Sequence, residues 1–272
     1  MDALRARPSG DRDVRTGRGG VVTGAVDQWL GIFARVAPVV ALHPIFGGRG
    51  VPGMVKASVA VVLATALWTN GSARIPTGGR MALVVSEAVI GLSVAAIGVA
   101  VFGAIESAGR FVDDARGANS AKLFAPHVES STSPLGALDA TASLALFWAV
   151  GHHAVLLSAL SASFDSVPLG EWPSGPVSDR TAWLTLVVEA VGSLARAGLS
   201  MAGPAAAATV TVDAILGLVG RTSPQANVFT LSLPAKLVAA LAVTALAMPG
   251  RVAHWGEVLI QHDAWIRVLL GG

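Results

Sequence analysis

The chain has no cysteine and no tyrosine, and only 13% of its 272 residues are charged. The missing cysteines exclude disulfides, thiolate metal sites and cysteine nucleophiles at once, and leave the compartment open. No Gly-Xaa-Ser-Xaa-Gly elbow, phosphate-binding loop or dinucleotide fingerprint occurs, so no enzymatic chemistry is legible and no cofactor or metal is expected. A net charge of +2 gives no footing for a nucleic-acid partner. The sequence pI of about 9.7 follows from a small arginine excess with nothing titrating between histidine and lysine.

What fills the chain instead is apolar. Hydrophobic residues make up 53% and mean hydropathy is +0.64, above the share of about 45–50% usual in soluble domains. The expected class is an all-α polytopic membrane protein. Its 31 glycines suit helices that pack closely inside a bilayer.

Residues 1–20 carry Arg5, Arg7, Arg12, Arg15 and Arg18 among glycines and read as a flexible basic tail. No apolar core followed by a cleavage site makes them a secretory signal. Apolar runs and breakers then alternate: Val21–Ile45, a short Met54–Trp68, Met81–Ile105, Leu135–Leu160, Ala182–Val219 and Val228–Met248. The fifth is broken at Gly203-Pro204, as two half-helices or one long bent helix. Counting broken elements, about six to eight hydrophobic helices are expected, against about 20 residues needed per full span. Residues 21–248 form one helical membrane domain. Residues 249–272, with Trp255 and Trp265 and apolar residues at helical spacing, read as a separate amphipathic helix, lying either at the membrane interface or against the protein. Lysine and arginine nearly balance between the two sets of loops, so the positive-inside rule fixes no orientation.

One stretch stands out. Residues 107–136 concentrate Arg110, Asp113, Asp114, Arg116, Lys122 and Glu129 between two apolar runs. Loops this long are usually functional or disordered, and the interspersed Phe111, Leu123 and Phe124 argue against disorder. An ordered insert is expected. Asp113-Asp114 resembles a paired-carboxylate site only by adjacency, and the flanking Arg110 and Arg116 point to neutralisation.

Asp27, Arg35, Glu87, Asp139, Glu189, Arg196 and Asp213 fall inside apolar runs, where each costs about 2.5–3.5 kcal/mol at mid-helix. Internal ion pairs, contacts to other subunits and an ion path all remain open. Glu189 and Arg196, seven apart, share a helix face. His152-His153 lack the i, i+4 spacing of a chelating pair and read as hydrogen-bonded histidines at a helix end.

Two stretches carry a resemblance. The first is Ala108 to Ala118, with Ser131-Thr132-Ser133-Pro134-Leu135-Gly136 after it. The second is Arg221-Thr222-Ser223-Pro224-Gln225-Ala226-Asn227-Val228-Phe229, leading into Leu233-Pro234-Ala235-Lys236. Both resemble the T component of the bacterial type III secretion export apparatus (SctT), whose flagellar counterpart is FliR. The likeness runs over about residues 25–248, leaving 1–20 and 249–272 outside it, and Ser-Pro-Leu-Gly looks more like the injectisome branch than the flagellar one. Asp114 departs from the family, which often has an amide there.

The resemblance implies a non-enzymatic, pore-forming part of the export gate in the bacterial inner membrane. It would assemble helically with the R and S components, beside the U and V components, and pass unfolded proteins. The loop matching residues 107–123 would act as a plug, with Gly109, Arg110, Phe111, Val112, Asp113, Asp114, Arg116 and Gly117 as its gate residues. Polar backbone at membrane depth needs such a protein-lined setting. Subunit contacts would fall at Pro224, Gln225, Asn227, Phe229, Pro234 and Lys236, and the intramembrane charges Glu87, Glu189, Arg196 and Asp213 would join them. Asn227 or Ser223 would also cap the last helix. The rival class is a stand-alone secondary transporter or channel built on broken helices and buried charge. It requires an inverted repeat, and none is convincing. An intramembrane enzyme lacks a nucleophile–base arrangement.

Overall fold

The computed structural model describes residues 14–47, 50–70, 79–117, 133–171, 180–222 and 227–270. Among these residues every regular element is helical: α1 (Val14–Leu42), a 3-10 turn (Pro44–Phe46), α2 (Gly53–Asn70), α3 (Arg80–Ala115), α4 (Pro134–Val150), α5 (His152–Ser166), α6 (Arg180–Thr222) and α7 (Val228–Leu270).

Helix α3 is the axis. It packs on α1, α4, α6 and α7, and its apolar residues, from Ile90 and Val94 through Ile97, Val101 and Ile105 to Val112, are buried at helical spacing. That stripe faces neighbours on several sides, which makes an apolar helix a hub instead of a surface element. Small residues set the approach. A Cβ on Gly91 would lie 2.0 Å from the Arg35 carbonyl oxygen, and one on Gly198 would lie 2.6 Å from that of Ala104. Glycine at these crossings lets α1 and α6 touch α3 backbone to backbone.

Among the described residues, four helices are long and apolar enough to cross a membrane: Gly24–Leu42, Arg80–Ala115, Thr181–Thr222 and Thr230–Leu270. Helices α4 and α5, bent by 69° at Gly151, make a fifth if they count as one span, and α2 is a shorter apolar helix. Gly151 sits at φ +90°, a left-handed conformation that glycine adopts without penalty. The run 135–160, expected as one segment, is therefore two helices.

Other expectations are resolved or changed in detail. Residues 182–219 form one unbroken helix through Pro204, and α7 runs without interruption across Pro249. The C-terminal helix expected at 249 is thus the second half of α7. An interior proline removes one hydrogen bond, and both helices continue past theirs. The insert expected from residue 107 begins as helix, because α3 continues to Ala115. Residues 14–20, expected as the end of a flexible basic tail, are instead the first turns of α1, and residues 1–13 and 118–132 lie outside the described residues.

Helices α6 and α7 form an antiparallel pair of 43 residues each, about 65 Å long at 1.5 Å per residue and twice the roughly 30 Å hydrocarbon core. In their apolar windows only 17% and 11% of residues are buried, against 56% for α3. Leu184, Val188, Leu199, Val210, Leu218 and Leu246 all stand exposed.

Candidate functional site at the neck of the polar insert

The two ends of the insert are tied together by one carboxylate. Asp113, in the last turn of α3, is 1% exposed. Its Oδ2 accepts the backbone N–H of Leu135 at 2.8 Å and the hydroxyl of Ser133, while Oδ1 accepts Arg116 Nε at 2.8 Å. Ser133 caps α4, its Oγ accepting the Gly136 N–H at 3.0 Å. The Ser-Pro-Leu-Gly sequence supplies both parts of this start: a capping hydroxyl and a proline at the first position, where its missing N–H costs nothing. A carboxylate against free N–H groups at a helix N-terminus is favourable electrostatically, and Arg116 balances its charge.

Directly below, the helices meet glycine to glycine. A Cβ on Gly109 would fall 2.6 Å from Gly136 N, Leu135 C and Asp139 Oδ2, and one on Gly136 would fall 2.7 Å from Arg110 Cγ. Asp139, also 1% exposed, is ion-paired with Arg251 of α7. The described residues on either side of 118–132 are therefore held together at a neck formed by α3, α4 and α7.

Replacing Asp113 by alanine is expected to leave the Leu135 N–H without its acceptor, at about 1–3 kcal/mol for a buried group. Hydrogen exchange at the Leu135 and Gly136 amides should rise about tenfold or more.

The expected gate residues divide. Val112 and Gly109 are buried, so Val112 presents its side chain to the core and not to an opening. Phe111 is 47% exposed and lines a 430 Å³ crevice between α3 and α6 with Gly103, Ser107, Ala195 and Gly198. Arg110 pairs with Glu106, one turn back, and not with the aspartates. Gly117 has φ +80°, the turn that ends α3, and Asp114 is exposed beside it.

The intramembrane charges resolve mostly into internal pairs. Arg35 and Glu87, both 0% exposed, meet at 2.6 Å. The guanidinium also donates to Ser163 O, Ser163 Oγ and Val167 O at 2.8–3.0 Å and lies 4.3 Å from the Phe164 ring centre. The second oxygen of Glu87 accepts the Gly170 N–H at 2.9 Å. This clamp joins α1, α3 and the end of α5. Glu87, expected at a subunit contact, is thereby corrected to an internal partner: a fully buried, fully bonded carboxylate has no face to offer. Asp27 pairs with Arg80, and Asp213 with Lys236 at 2.7 Å between α6 and α7. Asp213 remains half exposed and accessible. Glu189 and Arg196 are exposed on α6, and among the described residues neither has an ion-pair partner.

Asn227 caps α7, its Oδ1 accepting the Thr230 N–H at 3.2 Å, and Pro234 is exposed. Pro224, Gln225 and Ser223 lie outside the described residues, as does the side chain of Phe229.

Sequence reasoning passed over Arg251 and the histidines of α7. Asp139 demanded a cation, but Arg251 is 112 positions away and only the fold selects it. His152 does begin a helix, as expected, and its Nδ1 meets Asp263 Oδ2 at 2.6 Å. Asp263 Oδ1 meets His262 Nδ1 at 3.0 Å, and His262 Nε2 meets His43 Nε2 at 3.3 Å. Among the described residues no group of side chains is arranged to hold a metal ion.

The chain is similar in sequence to known export proteins. Over 224 residues, the chain is 26% identical to the flagellar biosynthetic protein FliR of Bacillus subtilis, covering 81% of this chain and 85% of the relative. It is 29% identical over 180 residues to the Yop proteins translocation protein T of Yersinia pestis, covering 66% and 68%. The apparatus protein SsaT of Salmonella typhimurium is 27% identical over 183 residues, covering 67% and 68%. Flagellar and secretion-system relatives thus stand at similar identity. The sequence pattern of the bacterial export proteins, family 1, matches residues 26–261, which carries the likeness past residue 248 into the second half of α7. With the matched region covering the neck, the Arg35–Glu87 clamp and most of every helix described, this membrane-embedded chain belongs to the bacterial export proteins, family 1.

Proposed function

We propose that this protein is the T component of a type III secretion export gate, a non-enzymatic, pore-forming part in the bacterial inner membrane. The neck carries this reading. A polar segment of the length of residues 118–132 is set between apolar helices, and both its ends are fixed by Asp113, Gly109 and the Asp139–Arg251 pair. Such an anchor lets the segment block a path while its base stays rigid. In this role Arg110, Phe111, Asp114, Arg116 and Gly117 surround the plug's root, and Gly109, Val112 and Asp113 hold it in place.

The exposed apolar faces of α6 and α7 fit coverage by the R and S components, with the U and V components nearby. Glu189, Arg196, Asp213, Lys236, Pro234 and the 224–229 box lie on or beside that pair as contact residues. Unfolded proteins are the cargo. The Ser133-Pro134-Leu135-Gly136 start of α4 favours the injectisome branch.

The test is a mild-detergent purification of the tagged chain from its native membrane, with co-purifying proteins identified by mass. Recovery in one large particle with two small polytopic proteins is the expected result. Recovery as a lone monomer or homodimer would defeat the proposal in favour of a transporter. Co-purification with hook and rod proteins instead of injectisome proteins would overturn the branch assignment alone.

A further inference from the structure

We infer that His43, His262, Asp263 and His152 form a proton-binding joint, in which an added proton releases the turn after α1 from the end of α7. The chain is continuous, and its hydrogen bonds fix the proton of each neutral imidazole. His43 Nδ1 accepts the Ile45 N–H at 3.4 Å, so it carries no proton and Nε2–H donates to His262 Nε2 at 3.3 Å. His262 Nδ1–H then donates to Asp263 Oδ1 at 3.0 Å, and His152 Nδ1–H donates to Oδ2 at 2.6 Å. Three neutral imidazoles and one carboxylate satisfy one another.

A further proton acts differently at the two ends. On His152 Nε2 it breaks nothing and turns the hydrogen bond to the Asp263 carboxylate into an ion pair. On His262 Nε2 it sets an N–H against the N–H of His43. On His43 Nδ1 it removes the acceptor of the Ile45 N–H, which begins the 3-10 turn. Acid therefore tightens α5 on α7 and loosens residues 43–46 from α7. The two effects come from one cluster.

The surroundings make this a store of charge and not a conduit. The Asp263 and His152 side chains are 13% and 10% exposed, so protons enter there. His43 and His262 are 0% exposed. The far end is closed by α3: a Cβ on Gly98 would lie 2.1 Å from the His43 ring, and the Phe102 ring stands edge-on to it at 6.0 Å. Phe147 of α4 contacts the His43, His152 and His262 rings. These facing groups from α3 and α4 are uncharged.

The remaining titratable neighbours are engaged or turned away. From α5, His153 stacks on Trp148 at 4.5 Å. From α2, Lys56 donates to the Ala41 carbonyl at 3.0 Å. Arg267, one turn beyond Asp263, is exposed, and Arg35 on α1 is consumed by Glu87. Burial, with His262 beside it, holds the His43 pKa well below the usual imidazole value. The neutral ring is thus the folded form. Its contribution is complete above about pH 6.5, the ordinary imidazole value, and is lost as pH falls below it.

The experiment is hydrogen exchange on the full chain in its detergent-purified membrane assembly between pH 7.5 and 5, corrected for intrinsic exchange. Protection at Ile45–Gly47 should fall by about tenfold, the loss of one hydrogen bond of about 1.4 kcal/mol, while protection at Ala154–Leu156 holds or rises. His262→Gln and His43→Gln, which do not titrate, should flatten the response of Ile45–Gly47. A flat wild-type profile, equal loss in both segments, or an unchanged profile in a folded variant would each refute the joint. Histidine 15N spectra of the wild type give a check independent of variant folding. At pH 7.5 they should show His43 protonated on Nε2 and His262 on Nδ1, and the reverse tautomers would overturn the assignment.

Discussion

Glu87→Ala is expected to destabilise the protein by about 3–5 kcal/mol, because it leaves the Arg35 guanidinium buried without a counter-charge. Both groups are 0% exposed, so water cannot replace the lost carboxylate. The Gly170 N–H loses its acceptor at the same time, and the end of α5 detaches from α1 and α3. In a thermal unfolding assay on the purified protein, the variant should be recovered in low yield with a strongly lowered midpoint. Arg35→Leu with Glu87→Leu should recover part of the loss, since no charge remains buried, but not all of it, since the Ser163 and Val167 carbonyls lose their donors. A Glu87→Ala protein as stable as the wild type would mean that the clamp is not formed.

Gly109→Asp is expected to abolish export under the proposed function, with loss of at least about tenfold in secreted protein. The new Cβ has no room, facing backbone atoms of Leu135 and Gly136 at 2.6 Å, and overpacking of this kind costs about 1–3 kcal/mol. The carboxylate adds a like charge beside Asp139 and competes for Arg251. Gly109→Ala should give a graded loss from the steric part alone. Gly103→Ala, six residues earlier on α3 where a Cβ meets nothing within 4 Å, should behave as wild type. Equal effects at the two glycines would show that general damage to α3, and not the neck, is responsible.

Much of this was legible from residue order. The apolar share and the breakers predict an all-helical membrane chain, and that is the class the helices show. Asn227 announces a helix start, because a short amide can take an N–H that the helix itself cannot satisfy. Boundaries were less legible. Pro249 looks like a stop and Pro204 leaves a break or a bend equally open, yet both are carried within helices. Gly151, one of 31 glycines, gives no local sign that it alone turns α4 into α5.

By itself, then, the sequence determined the class of the protein and the need for partners to its buried charges. Only the tertiary structure decided which partners. Arg35 with Glu87 and Asp139 with Arg251 are 52 and 112 residues apart, and His43 with His262 are 219 apart. A helix's own pattern says which face is apolar, but not which helix will cover it. The pairing is set by where glycines let backbones approach, and that is a property of two surfaces together and of neither strand of sequence alone.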